Sequence, residues 1–333
     1  KPETTADGKV SYRHTSVLSI EGISLEAAED ADWVSKLSNE EVERAFDHGA
    51  YARFGYPEWL DDLIATKTDV VLSTLKGIVK DEWNATTDRH APFLYRFASG
   101  RLGINPTAQD ILLENIMSSE PNRLSVFDYG IRIVRRLDLD AEQRAAIASL
   151  AKKGLETCKD EARRDIGLRY LALMLVADIN NSIGDFAVWV SARNAETPGY
   201  GEWAFGTLYE RHDPIVDGML NGASVATLEM LLDLAYQYVR IQDDITHDGV
   251  FSPGARDAAQ SGRNTVLSEL LDRPGADTYR AMQRLSNSNS IRLRAHRFRE
   301  LTRGKAEKDT EFPAWTEEEV LKFQQAHTAP VKT

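Results

Sequence analysis

Apolar residues recur every three or four positions in segment after segment, and no run of alternating β-branched residues bounded by turn signals interrupts them. A chain patterned this way can bury its apolar side chains only as helices. Most segments also carry their own start signal. Ser38-Asn39-Glu40-Glu41 forms a capping box, in which the Ser38 hydroxyl takes the amide of Glu41 while the Glu41 side chain reaches back, and it predicts a helix through about Arg53. Pro57 opens a short helix holding Trp59, Leu60, Leu63 and Ile64, and the run from Asp69 to Trp83 repeats the spacing with Val71, Leu72, Leu75, Ile78 and Val79. Asn105-Pro106 and Asp140 to Gln143 start two more. The segment from Asp160 to Asp178 is apolar nearly all round towards its end and is expected at the centre of a core. Ser224 caps the helix carrying Leu228, Leu231, Leu232 and Val239; Ser252-Pro253 opens the next, and Thr316 to Glu319 is a further capping box.

The fold class is therefore all-α. About fourteen helices over 333 residues place one roughly every two dozen positions, close to the half-repeat of helix-pair solenoids, whose period is about 40 to 47. Degenerate helical hairpins stacked as a HEAT-like α-solenoid follow from that spacing, without visible repetition of residues. The expected organisation is a single region, 1–333, with sub-blocks 1–200 and 201–333. With 42% apolar residues the chain has ample material for a core or a stack of small ones. The single cysteine, Cys158, excludes an internal disulfide and a four-cysteine zinc site, which fits a reducing cytoplasm. No apolar run approaches the roughly 18 residues of a membrane span. The start at Lys1, without an initiator Met or a leader pattern, is that expected of a fragment. A net charge of −12 repels phosphate backbones. The one basic stretch, Arg292 to Lys308, has the limited aromatic content of a solvated helix face, so nucleic acid is not the expected partner.

The densest chemistry lies in Gln242 to Pro253, which gathers Asp243, Asp244, His247 and Asp248 between two helical segments. Two readings are open. Asp243, Asp244 and Asp248 resemble the aspartate-rich magnesium motif of class I terpene synthases, which implies a lyase acting on a diphosphate. The second motif of that class, Asn, Ser and Glu at four-residue spacing, is missing; Asn181 to Asp185 lacks the rest. The other reading is a polar joint: the acids precede a helix N-terminus, where free amides and the dipole favour negative charge, and Arg256 and Arg263, one and three turns into that helix, face Asp243 or Asp244. The joint is favoured. His247 lacks the further His and Asp partners of a metal hydrolase, and the other histidines are scattered singly. No GxxxxGK[ST], GxGxxG or Gly-x-Ser-x-Gly occurs, so neither a nucleotide site nor a serine nucleophile is indicated, and no cofactor is expected.

The string Leu234 to Arg240 running into Gln242-Asp243-Asp244, then His247 to Pro253 and Arg256-Asp257, resembles a block in the helical-repeat region C-terminal to the ATPase of large bacterial NACHT-type STAND ATPases. Arg263-Asn264, Leu267 to Leu271 and Pro274-Gly275 are similar to the same block, as are Ala306 to Asp309 and Pro313 to Thr316. Trp33, Leu37, the Ser38 box, Gly55 to Trp59 and Glu82-Trp83 resemble the start of that region. The resemblance implies a HEAT-like sensor or scaffold of a signalling ATPase, recognising a protein ligand, of a kind associated with antiviral defence. It implies no catalytic residue here, because the ATPase module lies outside this chain, and oligomerisation would depend on that module. Asp243, Asp244, His247, Asp248, Arg256, Asp257 and Arg263 are implied to be a structural or ligand-facing polar cluster.

Overall fold

The computed structural model describes residues 3–4, 10–11, 14–50, 57–86, 91–100, 106–209, 218–291, 295–308 and 321. Among them the chain is helical, as the periodicity predicts, with a two-residue antiparallel pairing of β1 (Glu3–Thr4) and β2 (Val10–Ser11) as the one exception. The helices are α1 (His14–Glu29), α2 (Trp33–Lys36), α3 (Asn39–Ala50), α4 (Trp59–Thr66), α5 (Thr68–Trp83), α6 (Pro92–Ser99), α7 (Pro106–Ser118), α8 (Leu124–Arg136), α9 (Ala141–Glu156), α10 (Arg164–Ala177), α11 (Ile179–Glu196), α12 (Tyr200–Leu208), α13 (Val225–Tyr238), α14 (Ala255–Asp272), α15 (Ala276–Ser286) and α16 (Ala295–Lys308). Sixteen described helices exceed the fourteen expected because pieces such as the four-residue α2 are too short to show a periodicity.

Three of the start signals work as the sequence suggests, whereas α4 begins at Trp59, two residues beyond the expected Pro57, after a turn in which the Leu60 amide donates to the Pro57 carbonyl at 3.0 Å. At α3 the Ser38 amide donates to Glu41 at 2.8 Å, and the Glu41 amide reaches the Ser38 hydroxyl at 3.4 Å. Asp140 and Gln143 make a complete capping box at α9, and the Ser224 hydroxyl accepts the Thr227 amide at α13. Helix α6 is capped from a distance: the buried Glu82 carboxylate, on α5, accepts the amides of Phe93 at 3.2 Å and Leu94 at 2.9 Å. The Asp160 to Asp178 segment divides into a 3₁₀ turn, Glu161–Arg163, and α10, in which Gly167, Leu168 and every residue from Tyr170 to Ala177 are buried. The expected continuation of α3 to Arg53, the Thr316 to Glu319 capping box, and the Asn105 cap lie outside the described residues.

Two compact units divide the chain, Lys1–Phe186 with His212–Met219, and Ala187–Arg211 with Leu220–Thr333. In the first, α1, α3, α5 and α7 lie each beside the next, as do α2 and α4 and, further on, α6, α8 and α10, while consecutive helices such as α9 and α10 also pack together. Polar ties link these neighbours at a similar chain offset. Lys76 pairs with Glu114, Arg169 with Asp128 and Lys152 with Asp185, at offsets of 38, 41 and 33 residues. In the second unit α12 packs on α14 and α13 on α14 and α15, and Arg256–Glu202 and Arg284–Glu229 span 54 and 55 residues. Helices α12 and α14 approach closely because glycine lines their contact: a Cβ at Gly262 would sit 2.1 Å from the Tyr209 ring. None of the described helices is long and apolar enough to cross a membrane.

Candidate functional site: the α13–α14 joint

The acidic stretch lies wholly in the second unit, between the end of α13 and the start of α14. Helix α13 stops at Tyr238, and the carbonyls at its C-terminal end need donor partners. Two arginines supply them. Arg263 Nη1 donates to the Val239 carbonyl at 2.6 Å, and Arg256 Nη2 to the Arg240 carbonyl at 2.6 Å. The same guanidinium groups converge on Asp244. Arg263 grips it through both nitrogens, Nη2 to Oδ2 at 2.6 Å and Nη1 to Oδ1 at 3.1 Å, while Arg256 Nη2 lies 3.3 Å from Oδ1. Arg263 is 4% exposed and stacks over the Tyr236 ring at 5.2 Å. Arg256 also reaches back to α12, where its Nη1 meets Glu202 at 2.5 Å. A fork of fixed donors on a shared carboxylate is the geometry in which arginine binds most strongly.

Beyond Asp244 the loop is fastened by the same face of α14. The Gln260 side-chain amide takes the Ile245 amide at 2.9 Å and donates to the Ile245 carbonyl at 3.2 Å. His247 Nε2 lies 2.6 Å from Asp257 Oδ1, and its ring stacks on Phe251 with centroids 3.5 Å apart and planes 9° from parallel. The second Asp257 oxygen accepts the Gly254 amide at 2.8 Å, closing the N-terminus of α14. That bond, helped by His247, holds the Asp257 carboxyl below its ordinary range. Gln260 follows Asp257 by three residues and Arg256 by four, and Arg263 follows Gln260 by three, so one face of α14 secures the whole connection.

The start of α14 differs from the expected Ser252-Pro253. Gly254 is the capping residue and the helix runs from Ala255, because Asp257, rather than Ser252, satisfies the first free amide. Of the seven predicted site residues, the structure brings together Asp244, Arg256 and Arg263 in one cluster and His247 with Asp257 in a second. Asp243 turns instead to Arg240 on its own turn, at 2.6 Å, and Asp248 is exposed. Sequence reasoning did not single out Glu202, Gln260 or Tyr236. Gln260 shares the helical stripe with Arg256 and Asp257 and was open to detection; Glu202, 54 residues away, carried no local signal.

This arrangement sets what chemistry the acids can do. Both Asp244 oxygens are engaged by guanidinium groups, so its lone pairs point at arginine, and Asp243 is drawn to a different partner. No group of three His, Cys, Asp or Glu able to hold a metal occurs among the described residues. Asn181 and Asp185 are likewise engaged, with Asp178 and Lys152. Cys158, just past the end of α9, is buried, with its thiol directed at the Gly154 carbonyl at 3.3 Å. The fastened loop does present apolar surface, for Ile245, Val250 and Phe251 are exposed, Val250 completely. No protein-family model, curated protein or solved structure matches the chain.

Proposed function

We propose that this chain is a non-catalytic sensor or scaffold region, built as a HEAT-like stack of helical hairpins, that recognises a protein ligand on behalf of a bacterial NACHT-type STAND ATPase of a kind associated with antiviral defence. The observation that carries the reading is that many of the described helices, among them α1, α3, α5 and α7, and α6, α8 and α10, lie beside the helix two places along the chain, with ion pairs recurring at a similar offset within each unit. Stacks of helix pairs offer long surfaces to protein partners, and nearest-neighbour packing lets contact at one place bias the arrangement of the next. The resemblance at residues 234–257 supplies the family. The solvent-facing Ile245, Val250 and Phe251, held on a loop fastened at both ends, support recognition of a protein, since rigid apolar anchors lose little freedom on binding.

In such an ATPase, ligand binding to this region shifts the population from a closed to an open state, which requires higher affinity for the open one. The test is made in the full-length protein. Deleting residues 1–333 is expected to abolish ligand dependence of ATPase activity, and activity that keeps its ligand response after the deletion would count decisively against the reading. The magnesium-lyase alternative has less support, because its three aspartates are committed to different partners or to solvent.

A further inference from the structure

A groove of about 320 Å³ runs between α14 and α16, walled by Leu267, Leu271 and Leu301 and floored by Tyr236 and Phe298. Those two rings meet edge to face, with centroids 5.5 Å apart, and both are buried, so the floor is fixed before anything binds. The volume lies at the lower end of the range of about 300 to 1,000 Å³ typical of small-ligand sites. Two features of its charged groups narrow the occupant. Arg297 stands at the rim with most of its side chain in solvent. Helix α16 carries five basic residues, Arg297, Arg299, Arg303, Lys305 and Lys308, against two acidic ones, in a chain whose net charge is −12. The described basic residues of α16 are solvated, as expected from composition, and Arg297 also borders an apolar slot.

We infer that this groove is a docking subsite for an acidic protein segment that presents one large apolar side chain. The side chain fills the slot over Tyr236 and Phe298, and flanking carboxylates face Arg297 and the basic side of α16. The inference rests on the reading of the chain as a protein-recognition region and adds to it a place and a ligand chemistry. Charge complementarity sets the class: a neutral or basic segment gains nothing from α16, and a polyanion without an apolar anchor leaves the slot empty.

The test uses the purified chain and fluorescently labelled short peptides read by anisotropy: an acidic peptide with a central Leu or Phe, the same peptide with Ala at the centre, and the same with Lys replacing its acids. A single-stranded RNA oligonucleotide serves as the polyanion without an anchor. Two variants are made at exposed positions, Ser268→Trp to fill the slot and Arg297→Glu to reverse the rim charge, with thermal melts to show that both fold. The acidic, apolar-centred peptide is expected to bind; the Ala-centred peptide and Arg297→Glu each weaken it by about tenfold or more, and Ser268→Trp abolishes it. No binding by that peptide overturns the inference, as does equal binding of the Ala-centred peptide or the RNA, or binding that both variants leave unchanged. Each of these removes the groove while leaving partner recognition elsewhere on the chain intact; only the full-length deletion bears on recognition itself.

Discussion

Asp244 holds the α13–α14 joint because it is the counterion of a guanidinium that water barely reaches. Replacing it with Asn leaves Arg263 buried beside a neutral amide, and breaking one side of such a pair costs about 3 kcal/mol. Asp244→Asn should therefore lower the urea midpoint strongly, while Asp243→Asn, whose partner Arg240 is solvent-exposed, should change stability by less than about 0.5 kcal/mol. Equal effects of the two substitutions in urea titrations would remove Asp244 from this role. Asp257 adds a dependence on acid. Its carboxyl is held below the ordinary value in the folded chain, first by the Gly254 amide and then by His247, so its contribution is fully present above the unfolded value near 4 and is lost as pH falls through the folded one. Wild type should consequently lose more stability than Asp257→Asn between pH ~6 and pH ~3. Parallel loss in the two proteins across that range would refute the assignment.

At the scale of elements, the contact between α12 and α14 depends on a missing side chain. Any Cβ at Gly262 meets the buried Tyr209 ring, so Gly262→Ala must push the two helices apart, at a cost of about 1 to 3 kcal/mol. Gly184, exposed in the middle of α11 with open space around its Cα, is the control: Gly184→Ala should stabilise by about 0.5 to 1 kcal/mol, since alanine loses less backbone entropy in a helix. Thermal melts that move in opposite directions for these two substitutions would bear out the packing. Helix α6 offers a third case at this scale. Its first amides are satisfied by Glu82 from α5, so Glu82→Ala should destabilise by about 1 to 3 kcal/mol, although the residue is an acid and lies outside α6 altogether.

Across the whole molecule, helices pack chiefly on those one or two places away in the chain. Damage should therefore stay local. Leu232→Ala, at a fully buried position of α13, should cost about 2 to 5 kcal/mol and reduce amide protection most in α12 to α15, with the loss fading along the chain. Hydrogen exchange followed by mass spectrometry reads that gradient; a uniform loss of protection would mean a single cooperative core.

The helices, their capping residues and the burial of α10 were legible in the residues alone, because an amphipathic period and a cap are set by neighbours within one or two turns. The partnership of Arg256 and Arg263 with the acidic stretch was legible for the same reason, since helical spacing puts both on one stripe facing the preceding loop. Which aspartate they choose was not. Asp243 and Asp244 are adjacent and chemically alike, and only the path of the chain after Val239 turns one towards α14 and the other towards Arg240. The same holds for Glu202, for the distant cap from Glu82, and for the slot beside Arg263: each joins residues that no local period relates. Sequence by itself determined the all-helical class and where helices such as α3, α9 and α13 begin, through local hydrogen bonding and periodicity. Tertiary structure alone decided which charges meet and where an apolar slot opens, because those depend on contacts between segments separated by tens of residues.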